Sequence, residues 1–242
     1  MHTGDGPRVL ITRPAEDAGS LARALARAGF DPVLVPLLMR KWDLDAVIDC
    51  AAAQPHVDWV IVTSATAADV VSTAAPHAWR EARWAAVGPT TASRLEQLGY
   101  PVHCTPSQAT AAQLVSALGD LTGARVLYPR ADLASPKTAA ALEDSGAEVV
   151  DVVAYRNVAP PRIVEDLEAA LPVDATTLLS GSAATRLAAA VPTDRERLGT
   201  IACIGPSTAA VATAQRLPVH KVARPHSIAG LIAVLRTAFS PR

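Results

Sequence analysis

Val87-Gly88-Pro89-Thr90-Thr91-Ala92 is answered later in the chain by Ile204-Gly205-Pro206-Ser207-Thr208-Ala209. In each phrase an apolar run ends at a Gly-Pro turn, and a hydroxyl pair opens an Ala-rich stretch. That is a strand handing over to a helix. Ser or Thr at such a turn can cap the helix, and the free backbone N–H groups attract anions. The chain therefore builds the mouth of an anion-binding crevice twice.

Gly88 and Gly205 stand 117 positions apart, and the same offset recurs along the chain. It joins Arg13 to Arg130, Leu25 to Leu142, Gly29 to Gly146, and Pro101-Val102-His103 to Pro218-Val219-His220. It also joins Thr110 to Ser227 and Leu114 to Leu231, while Ser64 and Ser180 pair at 116. Repeats of roughly 20–50 residues signal stacked small units. One duplication at this longer period signals two domain-sized halves of a single architecture.

Length and composition agree. The 242 residues fit one or two domains, and 50% hydrophobic residues suffice for two small cores. A net charge of −1 without any Lys/Arg run argues against a nucleic-acid surface, and 4% aromatics argues against base-stacking platforms. Cys50, Cys104 and Cys203 form neither a Cys-x-x-Cys pair nor a zinc spacing, so they read as isolated reduced thiols. Met1 to Pro7 has no apolar core of a leader, and no apolar stretch reaches the ~20 residues of a membrane span. The expectation is a soluble, cytoplasmic, monomeric protein with no nucleic-acid or membrane partner.

Taken in order, Arg8–Thr12 reads as a short buried strand. A helix over Asp17–Ala28 follows with Leu21 and Leu25 on one face, and Gly29 stops it. Pro32–Leu38 is the next strand, so the chain opens β-α-β, the unit of a parallel sheet. Leu38–Trp42 breaks the rhythm with Arg40 and Lys41 and reads as a connector. Strands at 58–63, 84–87 and 101–104 then alternate with helices, up to a seam at Gly119–Gly123. The second half repeats the cycle and carries its own connector at Arg156–Pro161. Ten strands with intervening helices fit two five-stranded doubly wound α/β sheets better than one sheet of ten.

The candidate chemistry is sparse. Ser64, Thr91, Ser180, Ser182, Ser207 and Thr208 fall where strands end, the edge at which open α/β sheets bind ligands. Neither Gly-Pro phrase is a phosphate loop or a dinucleotide fingerprint, so no nucleotide is indicated. His103 and His220 lack ligand partners at helical spacing, so no metal is expected. Arg13 and Arg130 follow strand ends in both halves, as contacts for acidic substrate groups or as plain surface arginines. Tyr155, one of three tyrosines, opens the second connector. It could donate a proton or hydrogen bond to a leaving group, or simply pack.

These residues resemble the uroporphyrinogen-III synthase family. The resemblance runs from Val9 to Leu235 and rests on Val9-Leu-Ile-Thr-Arg-Pro14, Val35-Pro36-Leu37, Asp58-Trp-Val-Ile-Val-Thr-Ser64 and the first Gly-Pro phrase. In the second half it rests on Tyr155-Arg156, Leu178-Leu-Ser180 and the second Gly-Pro phrase. It implies two flavodoxin-like domains joined by two connectors, with a cleft between them. One domain would be 1–37 plus 159–242, the other 42–153, with connectors at 38–41 and 154–158. It implies a cofactor-free enzyme that closes hydroxymethylbilane to uroporphyrinogen III, inverting ring D and losing water, with substrate handed over by the upstream deaminase. By that likeness Ser64, Thr91, Ser180 and Thr208 line the cleft, and Tyr155 assists hydroxyl loss. Val62 where the family often has Phe, Gly181 where Pro is common, and Thr200 where some members are basic are departures. A non-catalytic module binding a tetrapyrrole or another polyanion is the alternative, and an unrelated solute-binding or flavodoxin-like protein stands further off.

Overall fold

The structure is a computed structural model and describes residues 6–239. It divides into two compact units: one is the chain up to Met39 together with the chain from Val158 onward, and the other is Arg40–Asn157.

The first unit holds β1 (Arg8–Ile11), β2 (Asp31–Leu34), β9 (Ala175–Leu178), β10 (Thr200–Cys203) and β11 (Val219–Val222) in the order β11-β10-β9-β1-β2. Every pairing is parallel. The inner strands β1, β9 and β10 are buried on both faces because helices cover both. Leu10, Leu178 and Ile201 enter one core with α7 (Ile163–Ala170), α8 (Gly181–Ala190) and α9 (Pro206–Ala214). Val9, Ile11 and Ala202 enter the other with α1 (Ala15–Arg27) and α10 (Ile228–Phe239).

The second unit holds β3 (Met39–Trp42), β4 (Trp59–Val62), β5 (Arg83–Ala86), β6 (Val102–Cys104), β7 (Arg125–Ala131) and β8 (Glu148–Val158) in the order β3-β8-β7-β4-β5-β6. Its helices are α2 (Leu44–Ala53), α3 (Ala65–Ala74), α4 (Pro89–Gln97), α5 (Ala111–Leu118) and α6 (Lys137–Asp144). Val60 and Val62 face one core, Trp59 and Ile61 the other.

The repeat fixes local detail as well as order. In each sheet the strand from the middle of a half pairs with the first strand of the opposite half, β4 with β7 and β9 with β1. The joint is stitched alike: the Arg125 N–H donates to Asp58 Oδ2 at 2.8 Å and the Arg8 N–H to Asp174 Oδ2 at 2.7 Å. The register slips once between β5 and β6 and once between β10 and β11. At each slip a histidine takes the strand's place. Nδ1 of His103 accepts from the Trp84 N–H and Nδ1 of His220 from the Ile201 N–H, both at 3.1 Å. The Pro-Val-His repeat is thus an edge-strand device that satisfies a backbone donor.

The structure adds detail that the sequence did not show. Residues 38–41, read as a connector, carry an edge strand, Met39–Trp42, that makes the second sheet six-stranded. Its exposed side chains hid it, because an edge strand buries too little to show an apolar run. Residues 154–158 likewise continue β8, which runs eleven residues. Helix α2, which buries only Val47, and a 3-10 turn at Arg195–Leu198 were not expected. Finally, α4 and α9 begin at Pro89 and Pro206, so Gly88 and Gly205 are the N-caps and no hydroxyl caps either helix. Proline at the first position carries a preset φ and lacks an N–H that would have had no partner there.

Candidate functional site

The starts of α3 and α4 in the second unit, and of α8 and α9 in the first, lie just beyond the carboxyl ends of β4, β5, β9 and β10. A helix's first turn leaves backbone N–H groups without helical partners and carries a partial positive charge. Each unit therefore presents a pair of anion-attracting helix starts on one sheet edge, with hydroxyls among them.

In the second unit Ser64 caps α3, its Oγ accepting from the Ala67 N–H at 3.1 Å. The Tyr155 hydroxyl donates to the same Oγ at 3.1 Å. A serine hydroxyl has two acceptor sites and one proton. With both acceptor sites taken, Ser64 keeps its own proton for a third partner. The Tyr155 ring is 7% exposed and packs in the core that contains Val62, Ala68 and Ala154. A ring held in a core with its hydroxyl on a helix cap is a fixed donor.

In the first unit the equivalent serine, Ser180, accepts from the Ala183 N–H at 3.2 Å. Its hydroxyl partner is Ser182 Oγ at 3.1 Å, and the pair lies toward solvent. The hydroxyl pairs of the two Gly-Pro phrases split the same way. Thr91 and Thr208 are buried, 6% and 4% exposed, whereas Thr90 and Ser207 face solvent. Thr90 is the residue the sequence reading passed over. The offset of 117 from Ser207 points straight at it.

The two arginines differ sharply. Arg13 is half-buried just past β1, and among the described residues no hydrogen bond or ion pair holds it. Arg130 lies inside β7 and is fully engaged. Its Nε and Nη2 grip the Asp151 carboxylate at 2.6 and 2.8 Å. Its Nη1 donates to the carbonyls of Ala131 at 3.0 Å and Asp132 at 3.3 Å. The hydrogen bond to Asp151 raises the Arg130 pKa, so its charge is permanent. The contrast has a sequence cause. Asp151 lies 117 positions after Leu34, so the repeat places a leucine where Arg13 would need a carboxylate.

No group of three or more His, Cys, Asp or Glu suited to a metal occurs among the described residues. Burial raises the pKa of all three cysteines, Cys203 to about 11, which keeps them thiols at neutral pH. No described helix is long and apolar enough to cross a membrane. The chemistry on offer is therefore hydrogen-bond donation, the Arg13 guanidinium, and helix starts that attract anions.

Comparison with known proteins finds the same family from several directions. A family model described as uroporphyrinogen-III synthase HemD matches residues 19–233. A uroporphyrinogen-III synthase of Synechococcus elongatus is 32% identical over 178 residues, covering 69% of this chain and 66% of that protein. The match thus spans just under two thirds of that relative's length. The uroporphyrinogen-III synthetase from Helicobacter pylori 26695 aligns with a TM-score of 0.64 at 16% identity, covering 96% of this chain and 99% of that one. A mutant uroporphyrinogen III synthase from Thermus thermophilus aligns with a TM-score of 0.60 at 19% identity, covering 96% and 98%. At these identities the structural likeness is one of fold.

Proposed function

The chain belongs to the uroporphyrinogen-III synthase family, and from that premise we propose that it closes the linear tetrapyrrole hydroxymethylbilane to uroporphyrinogen III. Ring D is inverted in the step and the ring A hydroxyl leaves as water. The observation that carries the reading is the Tyr155–Ser64 couple on the cap of α3. It is a rigid proton-bearing pair at a positive helix start, placed on the edge where α/β sheets take ligands. Tyr155, directly or through the Ser64 proton, donates to the departing hydroxyl, which leaves more readily when hydrogen-bonded.

The polycarboxylate substrate is gripped by many modest contacts. Arg13 pairs with one carboxylate, and Ser64, Ser180, Ser182, Ser207 and Thr90 donate hydroxyls beside the first-turn N–H groups. Thr91, Thr208 and Arg130 act from behind this layer, fixing the elements that carry it. Most of the acceleration comes from folding a reactive chain into one geometry, which suits the sparse inventory. The protein works on this small molecule as a cytoplasmic monomer that receives substrate from the deaminase producing it.

The test is the product isomer. Hydroxymethylbilane made enzymatically in the same vessel is turned over by the purified chain, and the oxidised products are separated by chromatography. The type III isomer in large excess is the expected result. Type I alone, from a folded protein, would sink the synthase reading and favour a binding module.

A further inference from the structure

The alternation of β8 fails at one place. Val152 and Ala154 enter the same core, as residues two apart should, but Tyr155 enters it too. The register explains this: Arg130 pairs with Val153 and Ala131 with Tyr155, so Ala154 is an extra residue on β8. An inserted residue bends a strand and re-aims the side chain after it. Without it, Tyr155 would point to the opposite face of the sheet from Ala154.

Arg130 spans this irregularity. On the near side its guanidinium holds Asp151, two residues before Val153. On the far side it holds the carbonyls of Ala131 and Asp132. Asp132 in turn grips β8 beyond the insertion. Its N–H donates to the Tyr155 carbonyl at 3.0 Å, and its Oδ1 accepts from the Asn157 N–H at 3.2 Å. The bonds therefore close around Ala154 and Tyr155.

The other unit supplies the control. There the β1–β2 ladder ends at Ile11 and Leu34, before the position that matches the inserted residue, Leu34 stands in place of Asp151, and Leu38 stands in place of Tyr155. The clamp is absent from the unit that has no tyrosine to aim. Nor does the fold need it, since the same sheet order forms there without it.

We propose that the Arg130–Asp151 pair is a positioning clamp that sets Tyr155 for the ring-closing step, and that it makes no substrate contact itself. This deepens the synthase reading and rests on it. Arg130 is thus a positioning residue whose effect runs through Tyr155.

The experiment compares Arg130→Met, Asp151→Leu and Tyr155→Phe, singly and combined, as purified full-length chains. Asp151→Leu copies the Arg13–Leu34 arrangement of the other unit, so it keeps the protein folded even if Arg130→Met does not. Both clamp variants should lower kcat by about 10–10²-fold, the scale of a misplaced catalytic group, with KM within about threefold of wild type. Adding either to Tyr155→Phe should lower kcat by no more than about twofold, because groups acting as a unit are not additive.

Substrate-gripping behaviour would overturn the proposal: Arg130→Met raising KM at unchanged kcat, with Asp151→Leu lowering KM by freeing the guanidinium. Unchanged kcat in both variants, or full additivity with Tyr155→Phe, would overturn it as well. The synthase reading is judged separately, on whether the wild-type chain makes the type III isomer at all. The clamp is judged only on ratios to that wild type.

Discussion

Tyr155 is buried for its ring and placed for its hydroxyl, and the two roles separate on substitution. Tyr155→Phe keeps the ring in its core and removes only the donor to Ser64. It should leave the thermal unfolding midpoint nearly unchanged and lower kcat by roughly 10–10³-fold, the range of a lost acid or oriented donor. Ser64→Ala has the opposite profile. It deletes a helix cap, costing about 1 kcal/mol of stability, and lowers kcat by less than about tenfold because other contacts share the grip. Steady-state kinetics beside urea unfolding separates the two. A Tyr155→Phe variant as fast as wild type would reduce the tyrosine to packing. Tyr155 could be picked out of the sequence as a candidate, but its partner could not. Ser64 lies 91 residues away, and the inserted Ala154 that brings the two together leaves no mark in the alternation of Val152-Val153-Ala154-Tyr155. The engagement of Arg130 was hidden for the same reason, since Asp151 becomes its neighbour only once β7 and β8 are in register.

At the scale of elements, the duplication was legible because turns and caps depend on few residues. Gly29 and Gly146 end α1 and α6 at φ values of +87° and +89°, a left-handed conformation that penalises a Cβ. Their surroundings differ. Among the described residues a Cβ at Gly29 would meet nothing within 4 Å, whereas one at Gly146 would lie 2.8 Å from the Thr122 Cα. Gly29→Ala should therefore cost about 1 kcal/mol, the conformational penalty alone. Gly146→Ala should cost at least about twice that, because backbone must move as well. Urea titrations of the two variants decide it, and equal costs would mean that the loop carrying Thr122 yields freely. What stayed illegible were elements with little to bury. Strand β3 is largely exposed and α2 buries one valine, so neither has the apolar periodicity that reveals an element. The Gly-Pro phrases were read as strand-to-helix turns, which they are. The cap fell on glycine rather than on a hydroxyl because proline had already taken the first helical position.

Across the whole molecule the halves of the sequence and the units of the structure do not coincide. The first half contributes β1, α1 and β2 to one unit and the strands β4, β5 and β6 to the other, and the second half reciprocates. One unit is consequently continuous, Arg40–Asn157, and the other is assembled from both ends of the chain. The continuous unit has a complete six-stranded sheet with a core on each face, and its size is enough to bury roughly 65% of its unfolded surface. Expressed alone, it should fold. The discontinuous unit cannot be cut in the same way. A fragment 158–242 lacks β1 and β2, and so turns β9, fully buried in the intact chain, into an open, unpaired edge. Such an edge aggregates rather than folds. The aromatic residues make the difference measurable, because all four tryptophans and all three tyrosines lie within residues 40–157. Tryptophan fluorescence and near-UV dichroism of the full chain therefore report on that unit, while far-UV dichroism reports on both. The fragment 40–157 should reproduce the fluorescence maximum of the intact chain and unfold in one cooperative urea transition. The fragment 158–242 should show no transition and should stay insoluble without residues 1–39. An unfolded 40–157 fragment, or a cooperatively folding 158–242 fragment, would mean that the two sheets depend on each other in a way their separate cores do not require.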